Sequence, residues 1–135
     1  CRDRGGKPEP GLVEPGPARL MGKAQELGKD AEGRAIRLLT SHGLTLVTRN
    51  YRCRGGEIDL VMRDSGHLVF VEVRYRSHAG FGGALASIGA RKRQRLIHAA
   101  QHYLVRYGWR GPCRFDVVGF DTRHEGQWIR DAFAA

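Results

Sequence analysis

The sequence predicts a small α/β domain built on a central mixed sheet that contains a hairpin and is flanked by helices, and three observations predict it. The chain has 135 residues, enough to bury one modest core. Its hydrophobic periodicity runs helix, three strands, helix, strand. The three strands follow one another with no helix between them, which argues against a doubly wound nucleotide-binding sheet.

The elements follow in chain order. Residues 1–20, "CRDRGGKPEPGLVEPGPARL", hold every proline except Pro112 and carry neither a helical nor a strand period. They are expected to be disordered, either an expression remnant or an over-extended gene start ahead of Met21, leaving 21–135 as a single domain. From Gly28 to His42 the apolar residues Ala31, Ala35, Leu38 and Leu39 recur at helical spacing, and Gly43 ends the pattern. "LTLVTRNYRC" alternates as a strand. Two apolar strands follow, about Glu57 to Met62 and Leu68 to Tyr75, with Ser65-Gly66 as a two-residue turn.

"HAGFGG" reads as a loop near the substrate; as a phosphate cradle it is weak, because no P-loop lysine follows. A basic helix spans Ala90 to Tyr107, with Leu96, Ala99, Ala100, Tyr103 and Leu104 on its inner face. After the "GWRGP" turn, "RFDVVGF" is a strand. Trp128, Ile129 and Phe133 are expected to pack a C-terminal tail onto the body.

The formal net charge is +9, which favours a polyanionic partner, nucleic acid above all. Lysine is confined to Lys7, Lys23, Lys29 and Lys92, and the rest of the 23 basic residues are arginine. That is the bias of a GC-rich genome. Arg91, Lys92, Arg93, Arg95 and Arg106 lie on the basic helix without an acidic residue among them, while Arg49, Arg52 and Arg54 form a second cluster and Arg76 follows the hairpin. These cations are the candidate phosphate-tracking surface; an ordinary solvated helix face is the other reading. No apolar run reaches the roughly 18 residues of a membrane span, and no signal-peptide core is present, so a cytoplasmic protein is expected. Cys1, Cys53 and Cys113 fit neither a disulfide framework nor a four-ligand zinc site.

The acidic residues among the apolar strands carry the chemistry. A two-residue turn at Ser65-Gly66 sets Asp59 opposite Glu72 and Glu57 opposite Arg74, and strict alternation puts all four on one face. Opposed carboxylates repel unless a cation lies between them, and magnesium takes one or two carboxylates completed by water and phosphate oxygens. A half-exposed sheet face with Arg74 as neutralising partner is the competing explanation. His98 and His102, four apart, lack the adjacent glutamate of a metalloprotease helix and read as an exposed pair. Tyr51 and Tyr75 read as core residues before they read as base-stacking platforms.

"GKDAEGRA", "RNYRCRGGEIDLV", "LVFVEVRYR", "GFGG", "RKRQRLIHAAQHYL" and "RFDVV" resemble the successive motifs of the YraN-like family of small bacterial proteins. That family is placed in the restriction-endonuclease-like superfamily, whose pattern is an Asp, a gap, then Asp or Glu, any residue, and Lys. The resemblance runs from about Gly28 to the C-terminus and implies a restriction-endonuclease-like fold and a magnesium- or manganese-dependent nuclease acting on DNA. It assigns Asp59 and Glu72 as metal ligands with the Val73 carbonyl as a third, and puts Arg74 in the place of the superfamily's lysine. Glu32 matches an accessory acidic position, Glu57 is the acid of "GEID", and Lys92 matches a basic position on the later helix. Junction-cleaving relatives are dimers, so branched or recombination intermediates and a homodimer are implied by analogy.

Arg74 departs from the pattern. Arginine stays protonated and cannot serve as a general base, although it can orient water or stabilise developing charge. Three function classes therefore stay open: a metal-dependent nuclease, a non-catalytic DNA- or RNA-binding module on the same fold, and a partner of a larger DNA-processing assembly.

Overall fold

The computed structural model describes residues 23–75, 88–121 and 126–135. The N-terminal segment 1–20, the "GFGG" loop and Arg76 lie outside the described residues. In chain order the elements are α1 (Lys23–Ser41), β1 (Thr45–Cys53), β2 (Gly56–Asp64), β3 (His67–Tyr75), α2 (Ala90–Tyr107), β4 (Cys113–Phe120) and β5 (Gln127–Phe133). Helix α1 begins five residues before the expected start and runs straight through Gly28, because "KAQEL" is made of good helix formers and one glycine costs only about 1 kcal/mol.

The strands lie in the order β1-β2-β3-β4-β5. β3 and β4 are parallel, joined through α2, and the other three neighbouring pairs are antiparallel. The fold class is thus α/β with a five-stranded mixed sheet and a helix on each face, compatible with a restriction-endonuclease-like fold. Beneath α1, Ala31, Ala35 and Leu39 pack on Leu60, Met62, Val69, Val71 and Val118. Beneath α2, Leu96, Ala99, Ala100 and Tyr103 pack on Ile58, Val61, Leu68, Phe70 and Phe115.

The hairpin turn forms as its sequence requires. Asp64 pairs with His67, and Ser65 and Gly66 both take positive φ, +57° and +139°. The expected register then holds up to the pair Leu60–Val71 and no further. Beyond it β2 stays with β1, where Glu57 faces Arg52, while β3 stays with β4, where Glu72 faces Val117. The two central strands part into a fork. Neither expected cross-strand pair, Asp59 with Glu72 or Glu57 with Arg74, is therefore made.

Strict alternation also fails on β2. Leu60 belongs to the core under α1, yet Ile58 and Val61 both belong to the core under α2. Strand β1 turns over at the same level: Arg49 reaches Glu32 on α1, whereas Tyr51 packs under α2. Between them Asn50 adopts φ +53°, a left-handed conformation that asparagine tolerates better than most residues and that reverses the direction of the side chains. Asp59 stands across from it, at the reversal.

The C-terminal tail is a fifth strand. Its period was hidden by a register shift between Phe115 and Val117, where β5 bulges and Asp131 takes φ +51°. The buried Asp116 fills this bulge: it accepts from Arg114 Nε (2.9 Å) and Nη2 (3.1 Å), from Trp128 Nε1 (2.9 Å) and from the Asp131 N–H (2.9 Å).

Helix α2 approaches β2 most closely at Gly56. A Cβ there would lie 2.4 Å from the Arg95 carbonyl oxygen and 3.0 Å from the Ala99 nitrogen. Both are helix backbone atoms, which cannot step aside singly. Gly56→Ala is therefore expected to push α2 off the sheet and to destabilise the domain by about 1–3 kcal/mol. Urea denaturation checks this, and an unchanged midpoint would contradict it.

Candidate metal and phosphate site

At the fork, the Asp59 carboxylate does what a partner strand's carbonyl would have done. Its Oδ2 accepts the Val73 N–H at 2.9 Å. Because the N–H and C=O of a strand residue point to the same edge, the Val73 carbonyl opens on the fork as well. One residue earlier on β3, Glu72 is 2% exposed. The Asp59 and Glu72 carboxyl groups are close enough to act on each other's charge.

Two cations flank the pair. Arg74 Nη1 is 3.5 Å from Glu72 Oε2, and Lys92 Nζ comes from α2 to within 3.6 Å of the same oxygen. Lys92 Nζ also lies 3.7 Å from Glu57 Oε2, and Arg52 Nε lies 3.5 Å from Glu57 Oε1. The other Glu72 oxygen, Oε1, is buried and has no hydrogen-bond partner among the described residues. A buried charge this poorly satisfied resists ionisation. Burial, with the Asp59 charge adding to it, pushes the Glu72 carboxyl up to about 8. Burial raises Asp59 also, against the opposing pull of the Val73 N–H. The pair titrates as a unit that holds on to one proton.

The remaining candidate residues divide. Glu32 on α1 meets Arg49 at 3.1 Å, so Arg49 is tied into an ion pair with only 21% of its side chain exposed. Arg54, Arg91 and Arg95 are exposed, as is Arg52 despite its contact with Glu57. Arg93 turns toward Phe133, with its guanidinium carbon 5.5 Å from the ring centre. The basic helix thus presents its cations in several directions rather than as one stripe. Its first turn carries no acidic residue and its N-cap, Gly89, makes no side-chain cap bond.

The histidine pair is otherwise engaged. His98 Nε2 is 2.9 Å from the Arg54 carbonyl oxygen and His102 Nδ1 is 2.6 Å from the Tyr51 hydroxyl. Tyr51 is core, 7% exposed, and Tyr75 packs partly buried against the core under α1. No group of three or more His, Cys, Asp or Glu side chains is placed to hold a metal among the described residues. A metal at the fork would have two carboxylates and a backbone carbonyl.

Two features escaped the sequence reading. The contact of Lys92 with the carboxylates is one: the sequence places it on the phosphate surface and, by resemblance, at a basic position of the later helix, and its only further signal is a lysine in an arginine-rich chain. Asp116 drew no notice, although an acid inside the apolar run "RFDVVGF" has to be either paired or functional. It is paired.

Residues 31–120 match the model of a family described as Uncharacterised protein family UPF0102. Among its relatives, a UPF0102 protein of Methylobacillus flagellatus is 56% identical over 113 residues, which is 82% of this chain and 99% of that protein. One of Pseudomonas putida strain W619 is 54% identical over 112 residues, 78% of this chain and 91% of the relative. One of Alcanivorax borkumensis is 48% identical over 120 residues, 84% and 96% respectively. No helix among the described residues is long and apolar enough to cross a membrane.

Proposed function

The chain belongs to the UPF0102 family, and we propose that it is a magnesium- or manganese-dependent nuclease that hydrolyses DNA, with branched or recombination intermediates as its substrate class. The observation that carries this reading is the Asp59–Glu72 pair at the fork: two carboxyl groups close enough to act on each other's charge, one of them buried with an oxygen that has no hydrogen-bond partner among the described residues. A buried carboxylate in that state weakens the fold and weakens DNA binding unless a cation takes it up. The donor set fits a hard divalent ion, which would be held by Asp59, Glu72 and the Val73 carbonyl and completed by water and phosphate oxygens. Such an ion, when bound, polarises the phosphate and lowers the pKa of the attacking water.

The chain's own side chains do the rest. Arg74 and Lys92 bring permanent positive charge to where the phosphate develops negative charge. Arg91 and Arg95, exposed near the start of α2, with Arg52 at the end of β1 and Arg54 on the turn after it, hold the polymer backbone. Cations at a helix N-terminus oppose the helix dipole by about 0.3–1 kcal/mol each. A cluster of them with no acid in the turn suits a polyanion, not the free helix. In this reading the protein works on DNA in the bacterial cytoplasm, as a homodimer by analogy with junction-cleaving members of the superfamily.

A second reading, a DNA-binding module without catalysis, is favoured by one observation, the arginine at position 74 in place of lysine. The test separates them. Wild type and an Asp59→Ala, Glu72→Ala double variant are incubated with manganese and labelled duplex, single-stranded, flapped and four-way DNA, and manganese affinity is measured by calorimetry. Cleavage and metal binding that both vanish in the double variant are the expected result. Wild-type binding to DNA that ignores metal, with every substrate left intact, would overturn the nuclease reading.

A further inference from the structure

Lys92 is the cation whose position the phosphate-tracking role leaves unexplained. It projects from the first turn of α2, with 28% of its side chain exposed, and places Nζ between carboxylates of two strands, 3.6 Å from Glu72 and 3.7 Å from Glu57. We propose that Lys92 is the lysine of the catalytic site, supplied from the helix rather than from β3, and that its ammonium contacts the scissile phosphate. This rests on the nuclease reading above.

Three observations carry it. First, both contacts are longer than the 2.7–2.9 Å typical of charge-assisted hydrogen bonds, so the ammonium is held by the field of the carboxylates and not locked to either. It is free to pass onto a phosphate oxygen beside them. Second, Arg74 flanks the same Glu72 oxygen at 3.5 Å from the strand side, so the site has a cation from each layer and position 74 need not be lysine. Third, Lys92 is one of four lysines in a chain with 23 basic residues. Where composition turns nearly every cation into arginine, a retained lysine marks a place for a compact ammonium, because a planar fork does not fit between two close carboxylates in the same way. Glu57 then acts as a positioning residue, holding the ammonium over the fork.

In the hydrolysis, the water oxygen forms a bond to phosphorus as the bond from phosphorus to the departing sugar oxygen breaks. The departing oxygen keeps the bonding pair and takes up a proton, and the attacking water gives one up to solvent. One water has then added across the P–O bond. Charge grows on the phosphate oxygens during this exchange, and Lys92 stabilises it as a donor without losing a proton.

The experiment compares wild type, Lys92→Ala, Lys92→Arg, Arg91→Ala and the double variant Lys92→Ala, Arg74→Lys, each checked for folding by circular dichroism. Manganese-dependent cleavage of the labelled DNA panel, manganese affinity and the salt dependence of DNA binding are measured. Lys92→Ala should lower kcat about 100-fold, the size of effect seen when one charge-stabilising donor is removed, while manganese affinity is not reduced and the salt slope falls by no more than the single phosphate contact it supplies, about 0.7–0.9. Arg91→Ala should raise KM and reduce the salt slope with kcat unchanged. Lysine at position 74 should restore at least about tenfold of the lost kcat, since it returns an ammonium to the same carboxylate; Lys92→Arg should stay well below wild type. A loss confined to KM, or one that tracks lost manganese affinity, would overturn the proposal. If wild type and Lys92→Ala cleave equally, only this proposal falls; if wild type cleaves nothing, the nuclease reading falls with it.

Discussion

Glu72→Gln is expected to reduce cleavage to below about 1% of wild type while making the metal-free protein more stable. The activity loss belongs to the nuclease reading proposed above, in which Glu72 is a metal ligand: removing a mere outer partner of a metal ligand costs about 10–100-fold, so removing a ligand's charge costs more than about 100-fold. The stability gain follows from burial. Glu72 is nearly inaccessible, its Oε1 has no hydrogen-bond partner among the described residues, and its carboxyl is pushed from 4.5 up to about 8. Between those two values the folded chain holds a proton that the unfolded chain has released. Folding then binds protons, and stability must fall as pH rises through that window, levelling off above about 8. Glutamine, neutral at every pH, removes this slope.

Urea denaturation of both proteins at pH 5, 6, 7 and 8 measures the difference directly. The variant should gain on the wild type as pH rises, by roughly a few kcal/mol between pH 5 and pH 8, since each unit of pKa shift is worth about 1.4 kcal/mol. A difference that stays constant with pH would contradict the account. In the same proposed reading manganese should narrow the gap by stabilising the wild type alone, and more strongly at pH 8 than at pH 6, because a carboxyl group must lose its proton to bind it.

Asp116→Ala should come close to unfolding the domain. Asp116 is 1% exposed and accepts four hydrogen bonds, two from Arg114 and one each from Trp128 and the Asp131 backbone. Arg114 retains Asp64 at 3.0 Å, but the indole N–H and the bulged backbone of β5 lose their acceptor. Breaking one side of a buried pair costs about 3–5 kcal/mol, a large share of the 5–15 kcal/mol that holds an ordinary domain together. Thermal melts followed by circular dichroism should show a drop of well over 10 °C. Asp116→Asn, which keeps one good acceptor, should fall between the two. A melt of Asp116→Ala at the wild-type temperature would mean that β5 is not held by this carboxylate.

Much of this molecule was legible in its sequence because much of it is local. The helical spacing of Ala31, Ala35 and Leu39, the run from Leu96 to Tyr103 and the Ser65-Gly66 turn each fix their own element within a few residues. The turn then carried the hairpin register as far as Leu60–Val71, and with it the expectation that Asp59 and Glu72 would meet. Past that pair, local rules ended. Asn50 takes a left-handed conformation and the strand pair turns over, which alternation cannot foresee because it assumes that every residue is extended. The β5 strand was hidden because its bulge makes sense only around the buried Asp116 of another strand. Local rules put Asp59, Glu72, Glu57 and Arg74 on one hairpin, and resemblance adds Glu32, the Val73 carbonyl and a basic position at Lys92. Only the docking of α2 on Gly56 brought Lys92 over the same oxygens, because electrostatic partners are chosen by distance in space and sequence spacing is silent about residues on separate layers.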